Sequence, residues 1–275
     1  MHRVSVVIPT IGESWLNTTL ERLLNGSLVP EEIIVVIPKQ YSHRLNLFKF
    51  NKIIKILISE KASQVSQRIK GFIESRNKFV LQLDSDILID KNCLEELVIA
   101  LDDNKSICVS PRYSTDLDYH ASFFKKILFG YFLNREKNFK FWDTWFYRHY
   151  EEYNSKLLKT KWLPGGCILH KKENLVLNNY YEYKGKAYDE DLIHSFLLHN
   201  NSIDLCVAKK AFAKSVNYHA YEHKNFNTLI KYLHRIYKIK VKLSRDSKGN
   251  IFYYHIWFFQ WFCSETFRYI KTKFL

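Results

Sequence analysis

The stretch FVLQLDSDILID, residues 79–90, decides the expected fold. Its apolar start predicts a buried strand of a parallel sheet, and Asp84 and Asp86 follow where that strand ends. Open α/β sheets bind their ligands at this edge. Two carboxylates there can hold a divalent cation against a diphosphate, although a helix cap or a solvated turn would also explain an Asp-x-Asp tripeptide.

The residues that follow these acids exclude a calcium-binding helix-loop-helix. Counted from Asp84, a calcium-binding helix-loop-helix needs an oxygen ligand where Leu88 stands and a glycine where Ile89 stands. Hard carboxylate ligands beside a diphosphate indicate Mg²⁺ or Mn²⁺ and not zinc.

Strand and helix patterns alternate through the first hundred residues. Short β-rich runs predict strands at 4–8, 33–37 and 53–58, and helical spacing of apolar residues predicts helices at 16–24 and 65–74. Sheet-like sequence resumes at 162–169, followed by a predicted helix at 191–199 and a short strand at 203–207. This order predicts an α/β fold with a mainly parallel nucleotide-binding sheet flanked by helices.

Two further segments divide the chain of 275 residues. We expect one domain at 1–219, with an aromatic-rich helical insertion at about 119–160. That insertion is either a second hydrophobic layer or a segment that covers the substrate. Residues 220–275 form a basic, aromatic, helical C-terminal extension.

The charge of the chain predicts an anionic partner. The formal net charge is +14, and residues 220–275 hold 11 Lys and Arg against 3 Asp and Glu, which makes 11 − 3 = +8. Trp257 and Trp261 stand near Arg268 and Lys271 in this extension. The pattern fits a peripheral helix on an anionic membrane surface, or an ordinary helix packed on the domain.

The cysteines and the ends of the chain indicate the compartment. Five scattered cysteines without a Cys-x-x-Cys pair favour a reducing compartment over a disulfide framework or a zinc site. The sequence VSVVIP follows the first three residues directly, and no apolar run of about 20 residues is present. We therefore expect a cytoplasmic protein, with peripheral binding to the inner face of the membrane as the alternative.

Taken together and in order, these motifs resemble family 2 glycosyltransferases of the GT-A fold over residues 3–220. The motifs that carry the resemblance are VSVVIPTIGES at 4–14, the helix with Gln64, Gln67, Arg68 and Gly71, Asp84-Ser85-Asp86, Gly165-Gly166, and Asp189-Glu190-Asp191. The resemblance implies transfer of a sugar from a nucleotide-diphosphate donor to a hydroxyl acceptor with inversion. It further implies a saccharide or lipid-linked saccharide acceptor and a setting in surface polysaccharide or lipopolysaccharide assembly.

The resemblance also implies roles for particular residues. Asp191 is the expected catalytic base, and an anion at that helix start is favoured by unpaired N–H groups, although Asp189 or Asp191 could simply cap the helix. Glu190 is expected to position it. Metal ligands are Asp86, Asp84 and His219, with His223 as the substitute. The donor contacts are Pro9, Thr10, Glu13, Arg68, Asp84, Ser85, Gly165 and Gly166.

One departure from the family pattern concerns the nucleobase. Most members carry acidic residues just after the second strand, where this chain has Pro38 and Lys39. The identity of the donor nucleotide therefore stays open.

Two rival functions remain at this point. A basic nucleic-acid-binding module would explain the charged extension but leaves the acids at the strand end without a role, which argues against nucleic acid as the partner. A metal-dependent nucleotidyltransferase would use such acids, but it is expected to carry a Gly-rich phosphate loop, and residues 10–14 contain only Gly12.

Overall fold

The computed structural model describes residues 3–47, 52–101, 106–113, 150–183, 187–216 and 225–246, and separate helical positions between 255 and 270. The chain divides into two compact units. The first unit comprises Met1–Tyr119 and Tyr150–Asn217, and the second comprises His120–His149 and Tyr218–Leu275. Residues 114–149, which hold most of the predicted insertion, lie outside the described residues.

The first unit begins with alternating strands and helices. The elements are β1 (Val4–Pro9), α1 (Trp15–Leu24), β2 (Glu32–Pro38), a 3-10 segment (Lys39–Leu47), β3 (Ile54–Ser59), α2 (Gln64–Glu74) and β4 (Phe79–Leu83). These strands form parallel pairs in the order β3-β2-β1-β4. The predicted parallel sheet is therefore confirmed in this half of the unit.

The remaining elements make the sheet mixed. They are β5 (Ile87–Ile89), α3 (Cys93–Ala100), β6 (Ile107–Tyr113), β7 (Glu151–Glu152), β8 (Leu157–Thr160), β9 (Cys167–Lys171), a 3-10 turn (Lys172–Asn174), α4 (Glu190–Asn200) and β10 (Asp204–Ser215). The sheet continues from β4 as β9-β6-β10-β8-β7, with β5 antiparallel to the end of β10. Strand β9 runs antiparallel to β4, whereas β6 and β10 are parallel.

Burial explains why the central strands take this position. Every residue of β1, β4 and β9 is buried, as expected for strands covered on both faces. By contrast, β3 exposes Ile56 and Ile58 at one edge of the sheet. A core of aliphatic side chains from α1, α3 and the central strands fills one face, and Phe72 with Val7 and Val80 belongs to a cluster on the other.

Helix α2 lies close to the sheet because of one glycine. A Cβ at Gly71 would overlap the side chain of Val7 in β1 and would lie 3.2 Å from Val36 of β2. Only glycine permits this approach of helix to strand. The approach fixes the buried face of α2, which includes Gln67 and Arg68, against the carboxyl ends of β1 and β4.

Three boundaries differ from the sequence predictions. The predicted helical insertion ends too late, because β7 and β8 lie within 151–160 and pair with the sheet. Strand β10 is longer than the short run expected: it continues to Ser215, with Ala211 and Ala213 buried and Phe212 and Lys214 exposed. Strand β9 starts only at Cys167, after Pro164-Gly165-Gly166.

In the second unit the described residues include a long helix, α5 (Phe226–Asp246). Its buried side chains, Leu229, Leu233, Ile236, Ile239, Lys240 and Leu243, recur at helical spacing. Among the helices that the structure describes, none is both long enough and apolar enough to span a bilayer.

Candidate functional site

The Asp84-Ser85-Asp86 turn is held by backbone contacts from three directions. Asp84 N donates to Gly166 O at 2.8 Å, and Ile87 N donates back to Asp84 O at 3.1 Å, which closes the turn. Thr19 of α1 donates its hydroxyl to Ser85 O at 2.8 Å. Val216, just past β10, donates its N–H to Asp86 O at 3.0 Å. The turn therefore presents its carboxylates from a fixed backbone.

Arg68 joins this turn to the Glu-Asp pair at the start of α4. Its side chain is 1% exposed, its Nη2 lies 2.7 Å from Asp84 Oδ1, and its Nη1 forms an ion pair with Glu190 Oε1. Gln64, one turn earlier in α2, donates to Asp84 Oδ2 at 3.0 Å. The two carboxylate groups predicted from the sequence are thus brought to one place.

Burial and charge act in opposite directions on these groups. Burial disfavours the Arg68 cation, but the negative charges of Asp84 and Glu190 raise its pKa well above the ordinary value. Burial also raises the pKa of Asp84, although the charge and hydrogen bond of Arg68 pull that pKa down. One arginine faces two carboxylates, so the ionised trio keeps one negative charge in excess, which favours a further cation beside it.

Glu190 is fully engaged on both oxygens. Oε1 contacts Arg68, and Oε2 accepts the hydroxyl of Tyr180 at 3.1 Å. Glu190 itself is 4% exposed. Burial, and next the charge of Glu190, raises the pKa of Tyr180 well above its ordinary value, which keeps the phenol protonated as a donor. Glu190 is therefore placed to orient its neighbours.

Asp191 has a different environment from Glu190. It is half-buried and lies in the first turn of α4, where its Oδ1 accepts the N–H of Leu192 at 3.0 Å. The residue before the helix, Asp189, has a left-handed backbone (φ 54°), and its side chain makes no capping hydrogen bond among the described residues. The capping alternative is thus not supported at Asp189, while Asp191 does contact one N–H of the helix start.

Gly165 of the Gly165-Gly166 pair packs against these acids. A Cβ at Gly165 would lie 2.5 Å from Glu190 Oε1 and 3.3 Å from Asp191 Cβ. Gln82 of β4, which is buried, donates its side-chain amide to Gly165 O. The glycine therefore has a packing reason within the described residues: it makes room for Glu190 beside β4.

The loop after β1 meets the same turn through Glu13. One carboxylate oxygen, Glu13 Oε2, accepts from Thr10 Oγ1 at 2.7 Å, Ile11 N at 3.2 Å and Ser85 Oγ at 3.1 Å. Gln67 of α2 donates to Thr10 O at 2.8 Å. Pro9 is the last residue of β1, so the predicted donor loop begins at the carboxyl edge of the sheet.

The described residues give a partial donor set for a divalent cation. Both oxygens of Asp84 accept hydrogen bonds, from Arg68 and Gln64, whereas Asp86 is half-buried and adjoins the same turn. No group of three or more His, Cys, Asp or Glu side chains suited to a metal occurs among the residues described. The expected ligand His219 and its substitute His223 lie outside those residues. The carboxylate of Asp86 is the kind of hard oxygen ligand that Mg²⁺ and Mn²⁺ prefer.

Some residues of the site carried no clear sequence signal. Tyr180 stands in an ordinary polar run, and its contact with Glu190 depends on the fold of residues 175–183. Gln82 did have a signal, because it is a polar residue inside an otherwise apolar strand. Arg44, in the 3-10 segment after β2, donates to Ile11 O at 3.0 Å and lies over the Tyr41 ring at 4.5 Å.

Two buried histidines lie behind the site. The rings of Tyr180 and His194 stack with centroids 5.5 Å apart, and His170 follows at 5.4 Å from His194. His170 Nδ1 also contacts Cys108 Sγ at 3.1 Å. Burial, with the charge of Arg68, lowers the pKa of His194 to about 3, and burial with His194 lowers that of His170 well below its ordinary value.

These histidines predict a loss of stability in acid. Because both pKa values are lower in the folded state, the unfolded chain binds more protons between about pH 6.5 and about pH 3, so stability falls as pH falls through that range. We expect His194 to account for about 2 kcal/mol of the difference in unfolding free energy between about pH 7 and about pH 5. Urea unfolding of His194→Phe at both pH values tests this.

The matched control for that experiment is His199→Asn, which changes an exposed histidine of the same helix. Its pH dependence should stay close to that of the unchanged chain. An identical pH dependence in His194→Phe and the unchanged chain would refute the role of His194.

Comparison with known proteins finds one matching family and several similar structures. The model of the family described as "Glycosyl transferase family 2" matches residues 5–173. The structure of GalNAc-T7 with UDP, GalNAc and Mn²⁺ superimposes with a TM-score of 0.54 at 13% identity, over 78% of this chain and 44% of that one. S. aureus TarS 1-349 with UDP-GlcNAc gives 0.54 at 16%, over 88% and 65%.

At such low identities the superpositions show a common fold alone, and this fold confirms the predicted GT-A architecture. The chain spans less than two thirds of the length of either structure. No curated protein sequence matches it.

Proposed function

Because the chain belongs to glycosyl transferase family 2, we propose that it transfers a sugar with inversion from a nucleotide-diphosphate donor to an acceptor hydroxyl, with the help of Mg²⁺ or Mn²⁺. The observation that carries this proposal is the contact of Arg68 with both Asp84 and Glu190. It joins the acids expected on the donor side to those expected on the acceptor side. Both groups of acids can therefore act on substrates that are bound in one site.

On the donor side, Asp86 would hold the cation, with Asp84 contacting it through water or contacting the ribose. When bound, the cation neutralises charge that develops on the leaving diphosphate. His219, or His223, remains our candidate for a further ligand on the basis of the family resemblance. Ser85, Thr10 and Glu13 shape the loop that meets the nucleotide, since Glu13 ties Thr10 to Ser85.

Arg68 acts as a positioning residue in this proposal. The family resemblance implies that it contacts donor phosphates. Its two terminal nitrogens lie against Asp84 and Glu190, so its contribution is to fix those carboxylates. Arg68 Nε is buried and has no partner among the described residues.

On the acceptor side, Asp191 takes the proton of the acceptor hydroxyl. The hydroxyl oxygen then forms a bond to the anomeric carbon as the bond from that carbon to the diphosphate oxygen breaks, and a nucleoside diphosphate leaves. Attack from the face opposite the leaving group inverts the anomeric configuration. Glu190, held by Arg68 and Tyr180, fixes the start of α4 so that Asp191 faces the reacting atoms.

The similar structures and the family resemblance indicate which donors and acceptors to test. UDP-sugars are the first donors to test, because the two similar structures contain UDP or UDP-GlcNAc. Pro38 and Lys39 replace the acids that usually follow the second strand, so other nucleotides belong in the same test. We propose a saccharide or lipid-linked saccharide acceptor, and a cytoplasmic role in surface polysaccharide or lipopolysaccharide assembly.

Replacing Asp86 by Asn should lower turnover at least about 100-fold, because the amide is a weaker ligand for a hard cation. Release of nucleoside diphosphate from a panel of nucleotide sugars, with and without Mn²⁺, measures this effect. Asp90→Asn is the matched control, since Asp90 is exposed four residues further along. Turnover by Asp86→Asn equal to that of the control, with the same response to Mn²⁺, would refute Asp86 as the ligand.

A further inference from the structure

In the second unit, helix α5 lies beside a second segment, which consists of the described helical positions between 255 and 270. Tyr237 of α5 packs on Phe258 with ring centroids 4.8 Å apart and also contacts His255. Phe226, at the start of α5, meets Tyr269 at 6.0 Å. Early residues of one segment meet late residues of the other, so the two segments run antiparallel as a helical hairpin.

Helix α5 carries an exposed basic row. Its exposed cations recur at intervals of seven, four and three residues, on the side opposite its buried apolar residues: Lys231, Lys238, Lys242 and Arg245. None of these four forms an ion pair with another described residue. Exposed cations of this kind are available to an anionic partner.

The other segment carries an exposed apolar row. Phe259 and Phe267 are 67% and 66% exposed, and Ile270 is 44% exposed. Cys263, also exposed, stands between them at the same helical spacing. Exposed apolar side chains grouped on one face are a feature of surfaces that bind a partner or a membrane.

Both rows point to the same side of the hairpin. Successive residues of a helix are rotated by about 100° around its axis. On this basis the basic row lies about 110° around α5 from Phe226 and Tyr237, the residues that touch the other segment. The apolar row lies about 110° beyond His255, Phe258 and Tyr269, counted in the same sense along its own segment. The rotation is counted from the N-terminal to the C-terminal end of each segment. Because the two segments run in opposite directions, the same rotation brings the basic row and the apolar row to the same side of the hairpin. We call this side the docking face.

We propose that the docking face binds the surface of an anionic phospholipid bilayer. Lys and Arg side chains attract anionic headgroups, and Phe and Ile beside them insert at the boundary of headgroups and acyl chains. Residues 220–275 carry the net charge of +8, which complements such a surface. The proposal concerns the second unit alone and does not depend on the chemistry proposed for the first.

Sedimentation of the full chain with phosphatidylcholine vesicles, with and without phosphatidylglycerol, tests this proposal. We expect binding to require phosphatidylglycerol and to weaken with salt. Lys238→Glu/Lys242→Glu and, separately, Phe259→Ser/Phe267→Ser should each weaken binding at least about tenfold. All four side chains are exposed, so circular dichroism melting should show a folded protein in each variant.

Matched controls come from the first unit. Lys52→Glu/Lys91→Glu reverses two exposed lysines there, and Ile73→Ser removes an apolar side chain that is 60% exposed. Neither control should change vesicle binding by more than about twofold.

Three results would overturn the proposal. The first is vesicle binding that the controls weaken as much as the docking-face variants do. The second is a dimer in sedimentation velocity that Phe259→Ser/Phe267→Ser converts to a monomer while vesicle binding stays unchanged, which would make the face a contact between copies. The third is tight binding of single-stranded RNA, lost in Lys238→Glu/Lys242→Glu, together with no binding to anionic vesicles.

Discussion

Asp191→Asn is expected to lower kcat at least about 100-fold, while the affinity for the donor stays within about twofold of the unchanged chain. The amide cannot accept the proton of the acceptor hydroxyl. It can still accept the N–H of Leu192 through its oxygen, as the carboxylate does. The substitution therefore removes the proposed base without removing the contact that Asp191 makes in α4.

Two measurements separate these effects. Single-turnover release of nucleoside diphosphate reports the chemical step, and calorimetric titration with the nucleoside diphosphate reports binding on the donor side. The matched control is Glu96→Gln, which neutralises a half-buried acid in the first turn of another helix, α3. Near-normal kcat in Asp191→Asn would show that another group takes the proton.

Arg68→Met should destabilise the fold by about 3–5 kcal/mol, because it leaves the buried carboxylate of Glu190 and the half-buried carboxylate of Asp84 without their cation. Asp84 and Glu190 lose the same partner at once, and their side chains are only 18% and 5% exposed. Urea unfolding at neutral pH measures the loss. Turnover should also fall, since the positions of both carboxylates depend on this arginine.

A second substitution shows whether charge is the cause. Adding Glu190→Gln to Arg68→Met removes one of the two uncompensated charges and should restore part of the lost stability. As a contrast, Lys159→Met breaks an exposed ion pair with Asp204 and should cost about 0–1 kcal/mol. If Arg68→Met cost no more than Lys159→Met, the buried ion pairs would not hold the site together.

The sequence predicted the first half of the fold well, because its signals are local. Proline ends β1 and β2, and apolar runs with helical or strand spacing define the elements as far as Leu83. The second half was harder to predict. The Ala and Lys residues of β10 favour a helix by propensity, and only their pairing with β6 and β8 makes them a strand.

The residues of the site also divide into those that local sequence patterns predict and those that depend on long-range contacts. Asp84, Asp86, Glu190 and Asp191 stand out in the sequence because acids follow an apolar strand or start a helix. Their connection through Arg68 could not be predicted from spacing, since 122 residues separate Arg68 from Glu190. Tyr180 was missed for the same reason: its role depends on a long-range contact and not on a local pattern.

The most direct test of one shared, metal-assisted donor site is thermal unfolding with the diphosphates of uridine, guanosine, adenosine, cytidine and thymidine, each with and without Mn²⁺. We predict that at least one diphosphate raises Tm by about 5 °C at a concentration about 100 times its Kd, that the rise requires Mn²⁺, and that Asp86→Asn abolishes it. No rise with any of the five diphosphates in the presence of Mn²⁺ would contradict the proposal.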